Sequence, residues 1–506
     1  MTAKQKIDVS SQQKSLVLIT VDCLRADHCG FYGYSRPTTP FLDKLAAESV
    51  VFPTAVVAGA PTYYSLPAIL ASRMPLALGR DVVGLAPGEN TLAGTLRDAG
   101  YATAAFSAAN PYLSPRFGYD QGFEVFEDFL DFGANPAGGE NETIAHGPSD
   151  FSGVRGKINH SLQRAAQGIG LGSLYDELYF QYRLRVASPR VDDIDALRRF
   201  PAAQTIVDRA LSWLESVADR PFFLWLHLMD PHSPYYPSVA AYRELTEKNI
   251  SASRARYLNE FWNRSDIGPR RLEPKRDAVV QLYDAGIRAA DNQIARFVSQ
   301  LQRLNLWDSC ALALTADHGE EFLDHGRRYH APLNMCEEIV RVPLIIRVPG
   351  FAKAPAPVAA FSHLHLAPTL LNILNVAPPA SFQGTSLWRH LEQGTSWESP
   401  AISECVYGCT NPLRRKDRMG ARLMSVRSGR FKLILRIDRD AIEELYDLKA
   451  DPAEQRPLPA GTQNKIRAEL LQAARTQIQA SCEARSAPLR LKARLRDLQL
   501  ELQSKA

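Results

Sequence analysis

The sequence predicts an α/β fold with a largely parallel sheet, followed by a small antiparallel subdomain and a helical tail. Three observations carry this. Apolar, β-branched runs alternate with helical patterns, two of those runs end on an aspartate, and the pattern changes from Met424 onward. Residues 16–21, LVLITV, suit a strand buried on both faces, and the run stops at Asp22. Residues 102–106, 222–228 (FFLWLHL), 311–315 (ALALT) and 342–348 (VPLIIRV) read the same way. Helical stretches between them fall at 40–49, 91–99, 202–217 and 277–304. The first opens with Thr39 as N-cap and Pro40 at the first helical position. In open α/β sheets, ligands bind at the C-terminal edge of the strands, where Asp22 stands.

Residues 14–400 form the main domain in this reading. Within it, 133–201 breaks the rhythm with GANPAGGENE and then charged helical sequence, an insertion that reads either as a cap over the site or as a surface excursion. The 401–460 subdomain contains SVRSGRFKLIL and ELYDL, two antiparallel strands. Residues 461–506 are helical, divided at Pro488. Leu491, Leu495, Leu498 and Leu502 share one helical face, flanked by Arg490, Lys492, Arg494 and Arg496. That face predicts docking on the chain's own domain or on a second subunit, hence a homo-oligomer through the tail; a membrane surface or another protein is the alternative.

Composition narrows the function classes. With 45% hydrophobic and 23% charged residues, the 506-residue chain is not predicted to be largely disordered. The 59 basic and 55 acidic residues leave +4, too weak a balance to predict a nucleic-acid partner. The seven cysteines are odd in number and scattered, so they read as reduced thiols and not a disulfide framework. The N-terminal MTAKQKIDVSSQQKS lacks the apolar core of a signal peptide. No run of the ~20 apolar residues that a membrane span requires occurs, so no transmembrane segment is expected and the expected location is the cytoplasm.

Three segments hold metal-site chemistry: VDCLRADH at 21–28, TYYSLP at 62–67 and TADHGE at 315–320. Carboxylates with an imidazole suit a borderline-to-hard divalent cation. Further motifs are LITVDCLRADHCGFYGYSRPTTPFLDKLAAESVVF, WLHLMDPHSPY, TADHGEEFLDHG, VRVPLIIRVPG, HLAPTLLNIL and ELYDLKADPAE. Through these, the chain resembles the sulfatase-like family of the alkaline-phosphatase superfamily from about Leu16 to Leu458. The resemblance implies an alkaline-phosphatase-like sheet between helices and a metal-dependent hydrolase of small-molecule esters. It implies metal ligation by Asp22, Asp317 and His318.

The same resemblance locates the nucleophile. The family's Cys or Ser, oxidised to formylglycine, stands thirteen residues before a helix-closing Pro; counting back from Pro75 gives Thr62, which also touches the metal. Threonine is not a formylglycine precursor, so phosphodiester or phosphonate chemistry is favoured over sulfate. Ser65 is the rival hydroxyl, and a helix N-cap is the bland role for Thr62. His232, in the His-x-Pro-Tyr motif, reads as general acid. His330 falls where the family binds substrate through Lys, and Asn110 reads as either a substrate contact or a turn residue. Asp230, His232 and His330 together are the candidates for a second metal. Cys23 replaces a family carboxylate, so Mn²⁺, Mg²⁺ or Zn²⁺ is expected over Ca²⁺. Arg25, Asp27 and His28 read as packing residues. Alternatives left open are a sulfatase without formylglycine, a phosphotransferase to an acceptor alcohol, and an inactive family member that acts as a binding protein.

Overall fold

The computed structural model describes residues 14–131, 154–184, 191–217, 219–351, 359–437, 442–481 and 487–503. The GANPAGGENE segment and Cys482 lie outside the described residues.

Seven strands form the main sheet: β1 (Ser15–Val21), β2 (Val50–Val51), β3 (Ala102–Ser107), β4 (Val125–Glu127), β5 (Phe222–Leu228), β6 (Cys310–Ala316) and β7 (Leu344–Arg347). Their order is β2-β7-β6-β1-β5-β3-β4. The strands from β6 to β4 run parallel, whereas β7 is antiparallel to β6 and β2 is antiparallel to β7. Every residue of β1, β3, β5 and β6 is buried, as expected of strands covered on both faces. The 342–348 run is split: Arg341–Val342 pairs antiparallel with Ala55–Val56, and Pro343, which lacks an N–H, separates it from β7.

Helices Pro40–Ala47, Leu92–Asp98 and Ala203–Val217 occupy the predicted stretches. The long helix Pro269–Arg303 begins eight residues earlier than residue 277; its charged first turns, with Pro274 inside, hide that start in the sequence. Thr39 does not cap Pro40–Ala47. Its hydroxyl accepts from Gly30 N–H (2.8 Å) and donates to Asp43 (2.9 Å), while Asp291 accepts from the N–H groups of Phe41 and Leu42, each at 2.9 Å.

The C-terminal sheet has four antiparallel strands, not two: β8 (Ala401–Val406), β9 (Arg422–Ser428), β10 (Phe431–Ile437) and β11 (Ile442–Asp447). Helix Asn464–Ala480 lays Leu470 and Ala474 against Met424, Val426, Leu433, Leu435 and Leu445. The tail is divided into two helices, as the sequence predicts, and Pro488 lies in the first turn of the second, Ala487–Gln503. That last helix docks through Ala493, which packs on Leu78, Val82 and Ala86, and through Arg496, which donates to the carbonyls of Leu85 (2.5 Å) and Val83 (2.8 Å). Leu491, Leu495 and Leu498 instead face outward, 59%, 52% and 46% exposed, so the leucine face is not what holds the helix to its own domain. No helix among the described residues is long and apolar enough to cross a membrane.

Candidate active site

Strand register assembles the site. Val21 pairs with Ala316 on β6 and with Leu228 on β5. Asp22 and Asp317 are therefore the first residues past two adjacent strands, and both are fully buried at the C-terminal edge of the sheet. Cys23, at φ 62°, turns the chain aside immediately after Asp22. Asp317 Oδ1 accepts from the N–H of Cys23 (3.3 Å) and of His318 (2.9 Å), while its Oδ2 has no hydrogen-bond partner among the described residues.

His318 Nδ1 lies 2.8 Å from the Gly319 carbonyl. A carbonyl only accepts, so Nδ1 carries the proton and Nε2 presents a lone pair to the site. That nitrogen is 3.2 Å from Thr62 Oγ1, 3.5 Å from Asp317 Oδ2 and 3.8 Å from Asp22 Oδ1. Thr62 Oγ1 is 3.5 Å from Asp22 Oδ2. Thr62 opens the fully buried helix Thr62–Ala71 with Pro61 at the N-cap, so its hydroxyl is not the cap. Its position at the helix N-terminus puts the positive end of the helix dipole beside any anion held there. Ser65, the rival hydroxyl, donates to the Thr62 carbonyl at 3.1 Å and faces back into its own helix.

Other side chains ring this centre. Asn110 donates to Asp22 Oδ2 (3.1 Å) and accepts from Tyr112 N–H (3.1 Å), so it combines a turn role with a contact to Asp22. His330 Nδ1 is 2.9 Å from Glu320 Oε2 and 3.3 Å from Cys23 Sγ, and its ring centroid lies 4.5 Å from that of His318. His232 Nδ1 lies 2.5 Å from the Ser233 carbonyl, and the His232 and His330 rings are 5.1 Å apart. Asp230, the third candidate for a second metal, accepts from Arg198 (2.7 Å) and from the Ala203 N–H (2.9 Å), one on each oxygen. Arg25 pairs with Asp27 and Asp324, and His28 with Asp284, which fits packing roles.

Two residues without an assigned role belong to the pocket. His227 Nδ1 is held by Thr20 Oγ1 at 2.8 Å, and Nε2 stands 3.4 Å from Asp22 Oδ2. The available signal was one ionisable residue inside an otherwise apolar strand. Glu320 is fully buried, with Tyr235 donating to it at 2.9 Å and His330 on its other oxygen.

The electrostatics are those of two carboxylates sharing one pocket. Burial would raise the Asp22 pKa, but His232, His227 and His318 outweigh it and hold the group well below its ordinary value. Burial, and then the Asp22 charge, push Asp317 up. Burial lowers His232, against the pull of Asp22. Burial would lower His330 too, yet Glu320 wins and leaves it raised. Three overlapping groups, Asp22/His227/Asp317, Asp22/Cys23/His232 and Cys23/His318/His330, each bring their ligand atoms within 4.8 Å of one another. Asp317 Oδ2 and His227 Nε2, buried and without hydrogen bonds, are the donors such a set leaves for a cation, so the residues fit a divalent metal.

The Sulfatase family profile matches residues 14–376. The chain belongs to the sulfatase family. The profile of the N-sulphoglucosamine sulphohydrolase C-terminal region also matches this sulfatase-family chain, over residues 326–480. Arylsulfatase K of Xenopus laevis is 25% identical over 274 residues, which are 49% of this chain and 50% of that protein; the chain thus spans about half the length of these curated relatives. The N-acetylgalactosamine-6-O-sulfatase of Bacteroides thetaiotaomicron is 22% identical over 539 aligned residues, covering 92% of this chain and 94% of its own. Among solved structures, the phosphonate monoester hydrolase of Agrobacterium radiobacter superposes with a TM-score of 0.59 at 18% identity, covering 92% of this chain and 95% of that one, which shows a shared fold.

Proposed function

We propose that this sulfatase-family chain is a metal-dependent hydrolase of a small-molecule phosphoric or phosphonic ester, with Thr62 as nucleophile. The observation that carries the reading is the Thr62 hydroxyl, 3.2 Å from the His318 Nε2 lone pair and 3.5 Å from Asp22 Oδ2. A threonine has no route to the aldehyde hydrate that expels sulfate, whereas its oxygen can attack phosphorus. Asp22, Asp317, His318 and Thr62 would hold the cation, and the Cys23 thiol in place of a carboxylate favours Mn²⁺, Mg²⁺ or Zn²⁺ over Ca²⁺. When bound, the metal lowers the hydroxyl pKa and neutralises charge on the transferring group.

The chain's own residues divide the remaining work. Thr62 releases its proton to solvent as Oγ1 bonds to phosphorus and the ester bond to the leaving oxygen breaks, and His232 gives that oxygen a proton. Water then attacks phosphorus, the bond to Thr62 breaks, and Thr62 and His232 regain their protons. An acceptor alcohol in place of water makes the same site a transferase. His330, held by Glu320, and Asn110 are the contacts for the anionic group.

The test is single-turnover cleavage of an aryl phosphonate monoester by wild type and Thr62→Ala. A loss of about a thousandfold or more is expected when a nucleophile is removed. Equal rates would sink the mechanism. A second reading, sulfuric-ester hydrolysis without formylglycine, is favoured by the sulfatase names of the sequence relatives. Turnover of aryl sulfate above bis-aryl phosphate and aryl phosphonate would select it.

A further inference from the structure

Four metal-ligating side chains converge outside the Asp22 pocket. His325 lies in the loop after Glu321–Phe322, Cys336 and Glu338 lie at the start of the short helix Glu337–Val340, and Glu454 lies beyond β11. One ligand atom from each is within 4.8 Å of all the others. We propose that His325, Cys336, Glu338 and Glu454 form a separate divalent-cation site of zinc type, which clasps the C-terminal subdomain to the loop carrying Asp317 and His318.

The donor set comes first. One imidazole, one thiolate and two carboxylates make the four-coordinate N/S/O shell that zinc takes in structural sites. His325 Nε2 and Glu338 Oε2 already face each other at 3.3 Å. Cys336 is 6% exposed, and its thiol makes no hydrogen bond among the described residues. Glu454 is 2% exposed and sits at φ 51°, an uncommon backbone conformation for glutamate that the surroundings hold in place.

The charges around the cluster match a dication. A thiolate and two carboxylates around a 2+ ion leave one surplus negative charge. Lys432, fully buried, supplies the compensating positive charge with its Nζ 2.9 Å from Glu454 Oε1. Its other partner, Glu337, is also paired with Arg427. The Glu454 oxygens each keep a second lone pair beyond the contacts to Lys432 and the Glu337 N–H.

The location gives the site a purpose. Glu338 and its neighbour Ile339 back the loop that carries Asp317 and His318: Gly319 N–H donates to the Ile339 carbonyl (2.9 Å) and Glu320 N–H to the Glu338 carbonyl (3.1 Å). A cation tied to Glu338 on one side and Glu454 on the other would brace that loop against the C-terminal sheet.

The experiment is metal analysis of full-length protein loaded with zinc and desalted, alongside cobalt reconstitution. Cys336→Ser and His325→Gln should each carry one equivalent less zinc than wild type. The near-ultraviolet sulfur-to-cobalt absorption should survive Cys23→Ser, which removes the thiol of the other pocket, and vanish when Cys336→Ser is added to it. Unchanged zinc content in both Cys336→Ser and His325→Gln overturns the proposal. So does cobalt–sulfur absorption that persists in the Cys23→Ser, Cys336→Ser double variant. Should both cluster variants fail to fold, absence of the absorption in folded Cys23→Ser overturns it instead.

Discussion

His227 Nε2 faces Asp22 Oδ2 from 3.4 Å, and no hydrogen-bond partner reaches that nitrogen among the described residues. In the proposed metal site the imidazole either ligates the cation beside Asp22 or orients the aspartate that does. Removing such a partner lowers metal affinity about 10–100-fold. His227→Gln should show this loss in a calorimetric Mn²⁺ or Zn²⁺ titration. An unchanged Kd would reduce His227 to packing.

Gly319 follows His318 directly, and a Cβ there would stand 1.9 Å from the Glu338 carbonyl oxygen. Backbone must move to admit it, and the loop that moves carries Asp317 and His318. Gly319→Ala should cost about 1–3 kcal/mol in urea unfolding, typical of overpacking, and should weaken metal binding as well. Wild-type stability in this variant would mean that the loop yields freely.

In the proposed mechanism, protonation of the leaving oxygen by His232 matters most when that oxygen is a poor leaving group. His232→Ala should lose about 10²–10⁴-fold in kcat on an alkyl ester and much less on a nitrophenyl ester. Equal losses across a leaving-group series would assign His232 to binding instead.

His363 is fully buried, with Nε2 2.9 Å from Thr315 Oγ1, and burial lowers its pKa from 6.5 to about 3. The unfolded chain takes up this proton below pH 6.5 while the folded chain refuses it until about pH 3. The neutral ring's contribution is therefore complete above pH 6.5 and is lost as pH falls toward 3, by up to about 1.4 kcal/mol per pH unit. Unfolding free energies of wild type and His363→Gln should converge as the buffer is acidified. Parallel curves would place the acid sensitivity elsewhere.

The sequence exposed this site unevenly, for physical reasons. Asp22 and Asp317 were legible because each ends a strand too apolar to lie anywhere but the sheet interior. Thr62 was found by its distance to Pro75, and the helix Thr62–Ala71 occupies that interval. His227 was not legible, since only its register against Thr20 and Ser107 brings it beside Asp22. Strand β8 escaped for a related reason: Ser403 and Glu404 interrupt its apolar pattern, yet both are buried, Ser403 on the Val57 carbonyl and Glu404 against Leu76 N–H (3.1 Å) and Arg422 (3.3 Å). Thr39 was misread because the helix it precedes takes its cap from Asp291, some 250 residues away. Local pattern reveals what an element is, and side chains whose partners come from distant chain stay hidden.

Strand β1 lies in the middle of the sheet, between β5 and β6, although it is made first. During synthesis its edges stay unpaired until residues 222–228 and 310–316 have left the ribosome. The nascent chain must therefore carry this apolar strand unpaired until its partners emerge, and the Asp22 pocket lacks Asp317 and His318 until then.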